Sequence, residues 1–142
     1  MPKKTKKEAP PLMLSPAVCG FPSPAEQYVD APLDLNELLV KNAPATYFVR
    51  AAGNSMVDAG IQEGDILVVD RSIQPENNSI VIACVDNEFT VKYLRTDGET
   101  VSLVPANKRY KPITFTDGME LKVFGVVTAV IHQFVKREAQ PK

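Results

Sequence analysis

The chain has 142 residues, enough for one folded domain with a sizeable apolar core. Its hydrophobic content of 44% is ordinary for a globular protein, and a net charge of −1 excludes a global basic field aimed at nucleic acid. The longest largely apolar stretch, Val123 to Ile131, is too short to span a bilayer.

The opening MPKKTKKEAPPLML is basic but lacks the apolar segment of a secretory signal, so the expectation is a cytoplasmic protein with free thiols and no membrane partner. Six prolines, from Pro2 to Pro24, precede residue 32, and Pro32 closes the stretch. Proline fixes φ and removes a backbone donor, so this segment reads as an extended arm. Its Lys3, Lys4, Lys6 and Lys7 read either as a solvated tail or as a contact for an acidic partner. One short helix follows. Asp34-Leu-Asn-Glu37 has capping-box spacing, with Asp34 as N-cap and Glu37 at N3. Leu35, Leu38 and Leu39 form an apolar stripe, and Pro44 is the expected stop.

From Ala45 the pattern is β. Apolar runs recur at Tyr47 to Val49, Ile66 to Val69, Ile80 to Val85, Phe89 to Leu94, Val101 to Val104 and Leu121 to Ile131. Turn signals separate them, among them Gly64-Asp65, Asp86-Asn87, Asp97-Gly98 and Asp117-Gly118, and Asp97-Gly98 predicts a hairpin. Short strands at this spacing predict a compact, mostly antiparallel β domain from about residue 40 to 136. The expected division is an arm with its short helix over 1–39 and a β-rich domain over 40–142.

Four features bear on chemistry. Two cysteines, Cys19 and Cys84, and one histidine, His132, cannot build a Cys/His zinc cage within one chain, so no metal or cofactor is expected. Cys84, inside Ile80-Val-Ile-Ala-Cys-Val85, reads as a small buried apolar residue. Ala51-Ala-Gly-Asn-Ser-Met56 presents Ser55 on a small-residue turn after an expected strand. Such a turn admits a close substrate and can aim backbone N–H groups at an oxyanion, but it is also ordinary loop composition. In Glu88-Phe-Thr-Val-Lys-Tyr-Leu94, alternation puts Thr90, Lys92 and Leu94 on one face. A solvated Lys92 would be a surface residue, whereas a desolvated one loses its proton readily and can serve a serine as general base. His132 sits in an apolar run and reads as structural, which leaves a Ser-His-Asp triad without its base.

Taken together, CGFPSPAEQYVD, YFVRAAGNSMVDAGIQEGDILVVDRS, EFTVKYL, LVPANKRYKPI and VFGVV resemble, in order and spacing, the self-cleaving LexA/UmuD group. The likeness covers residues 14–136 and is closer to the UmuD type, the processed accessory subunits of SOS error-prone DNA polymerases. It implies a highly curved, mostly β fold of the LexA/signal-peptidase type, paired as a homodimer. It implies Ser55 as nucleophile, Lys92 as general base, the backbone N–H groups of Asn54 and Ser55 as oxyanion donors, and Cys19-Gly20 as the bond cut. The partners it implies are a translesion polymerase catalytic subunit and a RecA–single-strand DNA filament that promotes cleavage. Only 18 residues precede Cys19, too few for the helix-turn-helix domain of a LexA-type repressor, so direct sequence-specific DNA binding is not expected. The alternative of another class is a non-catalytic dimeric polymerase adaptor in which cleavage is vestigial.

Overall fold

The computed structural model describes residues 9–12, 32–116, 120–135 and 137. The chain divides into two units, 1–41 and 42–142.

In the first unit a bridge pairs Pro11 with Pro32, and Leu33 N–H donates to Pro10 C=O at 2.7 Å. A five-residue helix, α1 (Leu35–Leu39), follows. Its N-cap is Asp34, whose carboxylate accepts from Asn36 N–H at 2.9 Å, satisfying one of the donors that a helix start leaves open. One expectation needs correction. The helix ends at Val40, before Pro44 is reached, and Pro44 instead opens a 3-10 turn at Ala43–Ala45. Of the leucine stripe, Leu35 and Leu38 are 59% and 49% exposed, because so short a helix offers less than two turns of face.

The second unit is one seven-stranded sheet: β1 (Thr46–Arg50), β2 (Ile66–Asp70), β3 (Ile80–Val85), β4 (Glu88–Thr96), β5 (Val101–Val104), β6 (Ile113–Phe115) and β7 (Leu121–Ile131). The order is β1-β2-β7-β3-β4-β5-β6, and every pairing is antiparallel. The mostly antiparallel β fold expected from the sequence is the one observed. β6 had no sequence signal, since three residues after a proline are too few to show alternation. The β3–β4 hairpin turns on two residues, Asp86 and Asn87, with φ of 49° and 69°, as a type I′ turn requires. Asp97 closes the β4–β5 connection by accepting from the N–H groups of Glu99 and Thr100, which together hold its carboxyl below the usual carboxylate range.

β3 is apolar throughout because both its faces are covered. Ile80 and Ile82 join one cluster with Ala51, Met56, Ile61, Leu67 and Val69; Val81 and Ala83 join another with Leu103 and Val126. Cys84 departs from its expected burial. It lies toward the hairpin end of β3, opposite Phe89 and Lys122, and is a partly exposed free thiol.

β7 joins the two halves of the sheet. Its residues 126–131 pair with β2 and its residues 121–126 with β3, with a register shift on each side. The shifts leave Thr128 and Phe124 as bulged residues, and bulges bend a strand and raise its twist. The Phe124 carbonyl accepts from the Tyr47 hydroxyl at 3.0 Å, tying β7 to β1 across β2. Between the shifts sits Gly125 at φ +157°, where a Cβ would lie 2.5 Å from Val69 Cγ1.

Candidate active site

The loop between β1 and β2 carries Ser55. At its base, Ala51 N–H donates to Asp65 C=O at 2.7 Å, and Gly64 N–H donates to Ala51 C=O at 2.8 Å. Asp65 is buried; its carboxylate accepts from Gln62 N–H at 2.8 Å and also contacts His132 Nδ1. Gly53 turns the chain with φ +77°, a left-handed conformation that costs glycine little. Beyond Ser55, the buried Met56 anchors the chain through its carbonyl, which accepts from Ala59 and Ile61 N–H.

The opposite wall is β4. Lys92 is 8% exposed, and its Nζ lies 3.0 Å from Ser55 Oγ. The same ammonium donates to Thr90 Oγ1 and, at 3.1 Å, to the Val91 carbonyl. Thr90 is two residues back on the strand, hence on the side of Lys92. Three acceptors therefore meet the three donors of an ammonium. None of the three is an anion, and burial removes water, so desolvation pushes the Lys92 pKa below the usual lysine value.

A third segment braces the serine turn. Ala106 N–H donates to Ser55 C=O at 2.8 Å, and Asp58 N–H donates to Ala106 C=O at 2.8 Å. Asn107 Nδ2 donates to Asn54 C=O at 2.8 Å, and the Tyr110 hydroxyl donates to Asn54 Oδ1 at 2.9 Å. Among the described residues, nothing accepts from the N–H groups of Asn54 and Ser55. Ser55 opens onto a cleft of about 840 Å³ walled by apolar side chains that include Tyr47, Val49, Met56, Ile82, Val91 and Phe124. A desolvated amine beside a hydroxyl, two open N–H groups and an apolar cleft make a set suited to acyl transfer.

Residues 11–128 match the family described as Peptidase S24-like. The chain belongs to that family. Protein SamA of Salmonella typhimurium is 45% identical over 123 residues, covering 87% of this chain and 85% of SamA. Protein MucA of Escherichia coli is 44% identical over 120 residues, covering 83% of this chain and 81% of MucA. A LexA repressor from Desulfatibacillum aliphaticivorans is 37% identical over 116 residues, covering 80% of this chain but 57% of the repressor. The LexA/UmuD-type likeness read from the five sequence segments agrees with this membership.

Of the residues singled out for this S24-like chain, Ser55 and Lys92 come together from positions 37 apart, with Asn54 beside them. Cys19 and Gly20 lie outside the described residues. His132 pairs with the Asp65 carboxylate, not with Ser55. Thr90, the Val91 carbonyl, Ala106, Asn107 and Tyr110 were not singled out. The last three stand in LVPANKRYKPI, a segment that carried the resemblance but no chemical role. Among the described residues no helix is long and apolar enough to cross a membrane.

Proposed function

We propose that this chain is a serine peptidase that cuts itself between Cys19 and Gly20, with Ser55 as nucleophile and Lys92 as general base. The observation that carries the reading is the 3.0 Å approach of a desolvated Lys92 Nζ to Ser55 Oγ. Membership of a family that includes self-cleaving serine peptidases supports it.

In its neutral form Lys92 keeps two N–H bonds, which Thr90 Oγ1 and the Val91 carbonyl accept, and its lone pair is left for the Ser55 hydroxyl. As Ser55 Oγ bonds to the Cys19 carbonyl carbon, its proton passes to Lys92 Nζ. The carbonyl oxygen becomes an oxyanion facing the N–H groups of Asn54 and Ser55. The bond to the Gly20 nitrogen then breaks, and Lys92 returns the proton to the new amine. Water, with Lys92 again as base, hydrolyses the Ser55 ester and frees the peptide ending at Cys19. A small side chain before the cut and glycine after it suit a tight cleft. The cysteine thiol has no part in these steps.

The product, Gly20 to Lys142, then acts as a homodimeric accessory subunit of an error-prone translesion polymerase in the SOS response. A RecA–single-strand DNA filament stimulates the cut by favouring the conformation with the arm in the cleft. The likeness to the UmuD type and the SamA and MucA relatives support this biological setting.

The test is incubation of purified protein from neutral to alkaline pH, with mass spectrometry of the products. The expected result is one cut, at Cys19-Gly20, faster as Lys92 loses its proton and absent in Ser55→Ala and Lys92→Ala. A Ser55→Ala protein that still cuts there removes the dyad assignment. A wild-type chain that stays whole even with an activated RecA filament removes self-cleavage and leaves the adaptor reading.

A further inference from the structure

We propose that Asn107 and Tyr110 are positioning residues that hold the Asn54–Ser55 peptide so that its open Ser55 N–H meets the oxyanion. The proposal rests on the self-cleavage reading above and adds two residues to it. A peptide unit is planar and trans, so the carbonyl of one residue and the N–H of the next point in opposite directions in one plane. Asn54 C=O and Ser55 N–H share such a plane. Asn107 Nδ2, 2.8 Å from Asn54 C=O, therefore sets the direction of the Ser55 N–H, turning it away from the 106–107 segment. The bond from Ala106 N–H to Ser55 C=O fixes the next peptide plane by the same logic. Tyr110, 56 positions from Asn54, holds that residue's side-chain oxygen and so limits its rotation.

The turn needs an external brace. Its sequence is Ala-Gly-Asn-Ser: Gly53, at φ +77°, leaves the backbone before Asn54 without the stiffness a side chain gives, and Asn54 is itself exposed, so burial does not fix it. Nor does burial explain Tyr110, which is 44% exposed. Its directed contact with the site is the hydroxyl bond to Asn54.

The test uses the full-length chain with Asn107→Asp, Asn107→Leu and Tyr110→Phe, and Ser55→Ala as the uncut control. Asn107→Asp keeps the oxygen that accepts from Arg109 N–H at 2.9 Å but sets a second oxygen against Asn54 C=O. Asn107→Leu removes the donor without adding charge. Tyr110→Phe removes only the hydroxyl. The rate of the Cys19-Gly20 cut is followed against pH, with thermal unfolding of each variant alongside. In both Asn107 variants the alkaline plateau rate is expected to fall about 10- to 100-fold, and in Tyr110→Phe about 3- to 10-fold. The pH midpoint belongs to Lys92 and is expected not to move in Asn107→Leu or Tyr110→Phe. Folded variants with the wild-type plateau overturn the brace while leaving the dyad standing. A shifted midpoint with an unchanged plateau also overturns it, because the residues then act through Lys92. If wild type does not cut, or Ser55→Ala does, the self-cleavage reading falls and this role falls with it.

Discussion

Gly125→Ala tests how the sheet bends at the site. A Cβ at this position would stand 2.5 Å from Val69 Cγ1, 3.4 Å from the Asp70 carbonyl oxygen and 3.5 Å from Arg71 Cγ. Ordinary carbon–carbon contact is about 3.5–4.0 Å, so the overlap with Val69 is roughly 1 Å or more. Val69 cannot swing aside: it is fully buried in the cluster formed with Ala51, Met56, Ile61, Leu67 and Ile82. Overpacking of this kind costs about 1–3 kcal/mol. The φ of +157° adds backbone strain for any L side chain, another ~1–3 kcal/mol. The expected loss is therefore about 2–6 kcal/mol, a large share of a normal folding free energy. Urea unfolding followed by circular dichroism measures it, in a Ser55→Ala background so that cleavage does not intervene. With an m-value of about 2 kcal/mol/M the midpoint drops by roughly 1–3 M. The damage is expected to reach the cleft, because the neighbouring Phe124 carbonyl holds Tyr47 and both residues line it. A loss below about 1 kcal/mol at unchanged m would show that β7 accommodates a side chain there, and that glycine is not what allows the offset between the two half-sheets.

Other expectations follow from the same structure. Burial lowers the Lys92 pKa below 10.5, so between the lowered value and 10.5 the unfolded chain binds one more proton than the folded chain. Folding stability then rises with pH across that window, by up to about 1.4 kcal/mol per pH unit, relative to Lys92→Met in the same Ser55→Ala background. A wild-type-minus-variant difference that stays flat from neutral pH to 10.5 would show that Lys92 is solvated. Cys19→Ala is expected to cut at the wild-type rate by mass spectrometry, and an inactive variant would return the thiol to the mechanism. Leu103→Ala, at a fully buried position in the cluster with Val81, Ala83 and Val126, is expected to cost about 2–5 kcal/mol by urea unfolding. A cost under 1 kcal/mol would mean that this cluster closes up around the missing atoms.

Much of the fold was legible in the chain because its signals are local. β1 to β5 and β7 each announce themselves by an apolar run between turn residues, and Asp97-Gly98 marks the hairpin that joins β4 to β5, with Gly98 at positive φ. β6 is too short to show a period. The leucine stripe of α1 is an apolar pattern along the chain, and a five-residue helix leaves its Leu35 and Leu38 exposed. The insertion of β7 between β2 and β3 is a pairing over long sequence distance that no run of neighbouring residues encodes.

The site divides along the same line. Residue types alone admitted Ser55 as a nucleophile or a loop residue, and Lys92 as a base or a solvated strand lysine. The ordered segments around them supplied the family likeness and the candidate roles. What the tertiary structure decided is that Lys92 is desolvated, that it lies 3.0 Å from Ser55 Oγ, and that Asn107 and Tyr110 grip Asn54. Strand propensity and turn chemistry depend on neighbours along the chain, so the sequence alone carries them. Desolvation and the direction of a peptide plane depend on neighbours in space, and those exist only once the chain has folded.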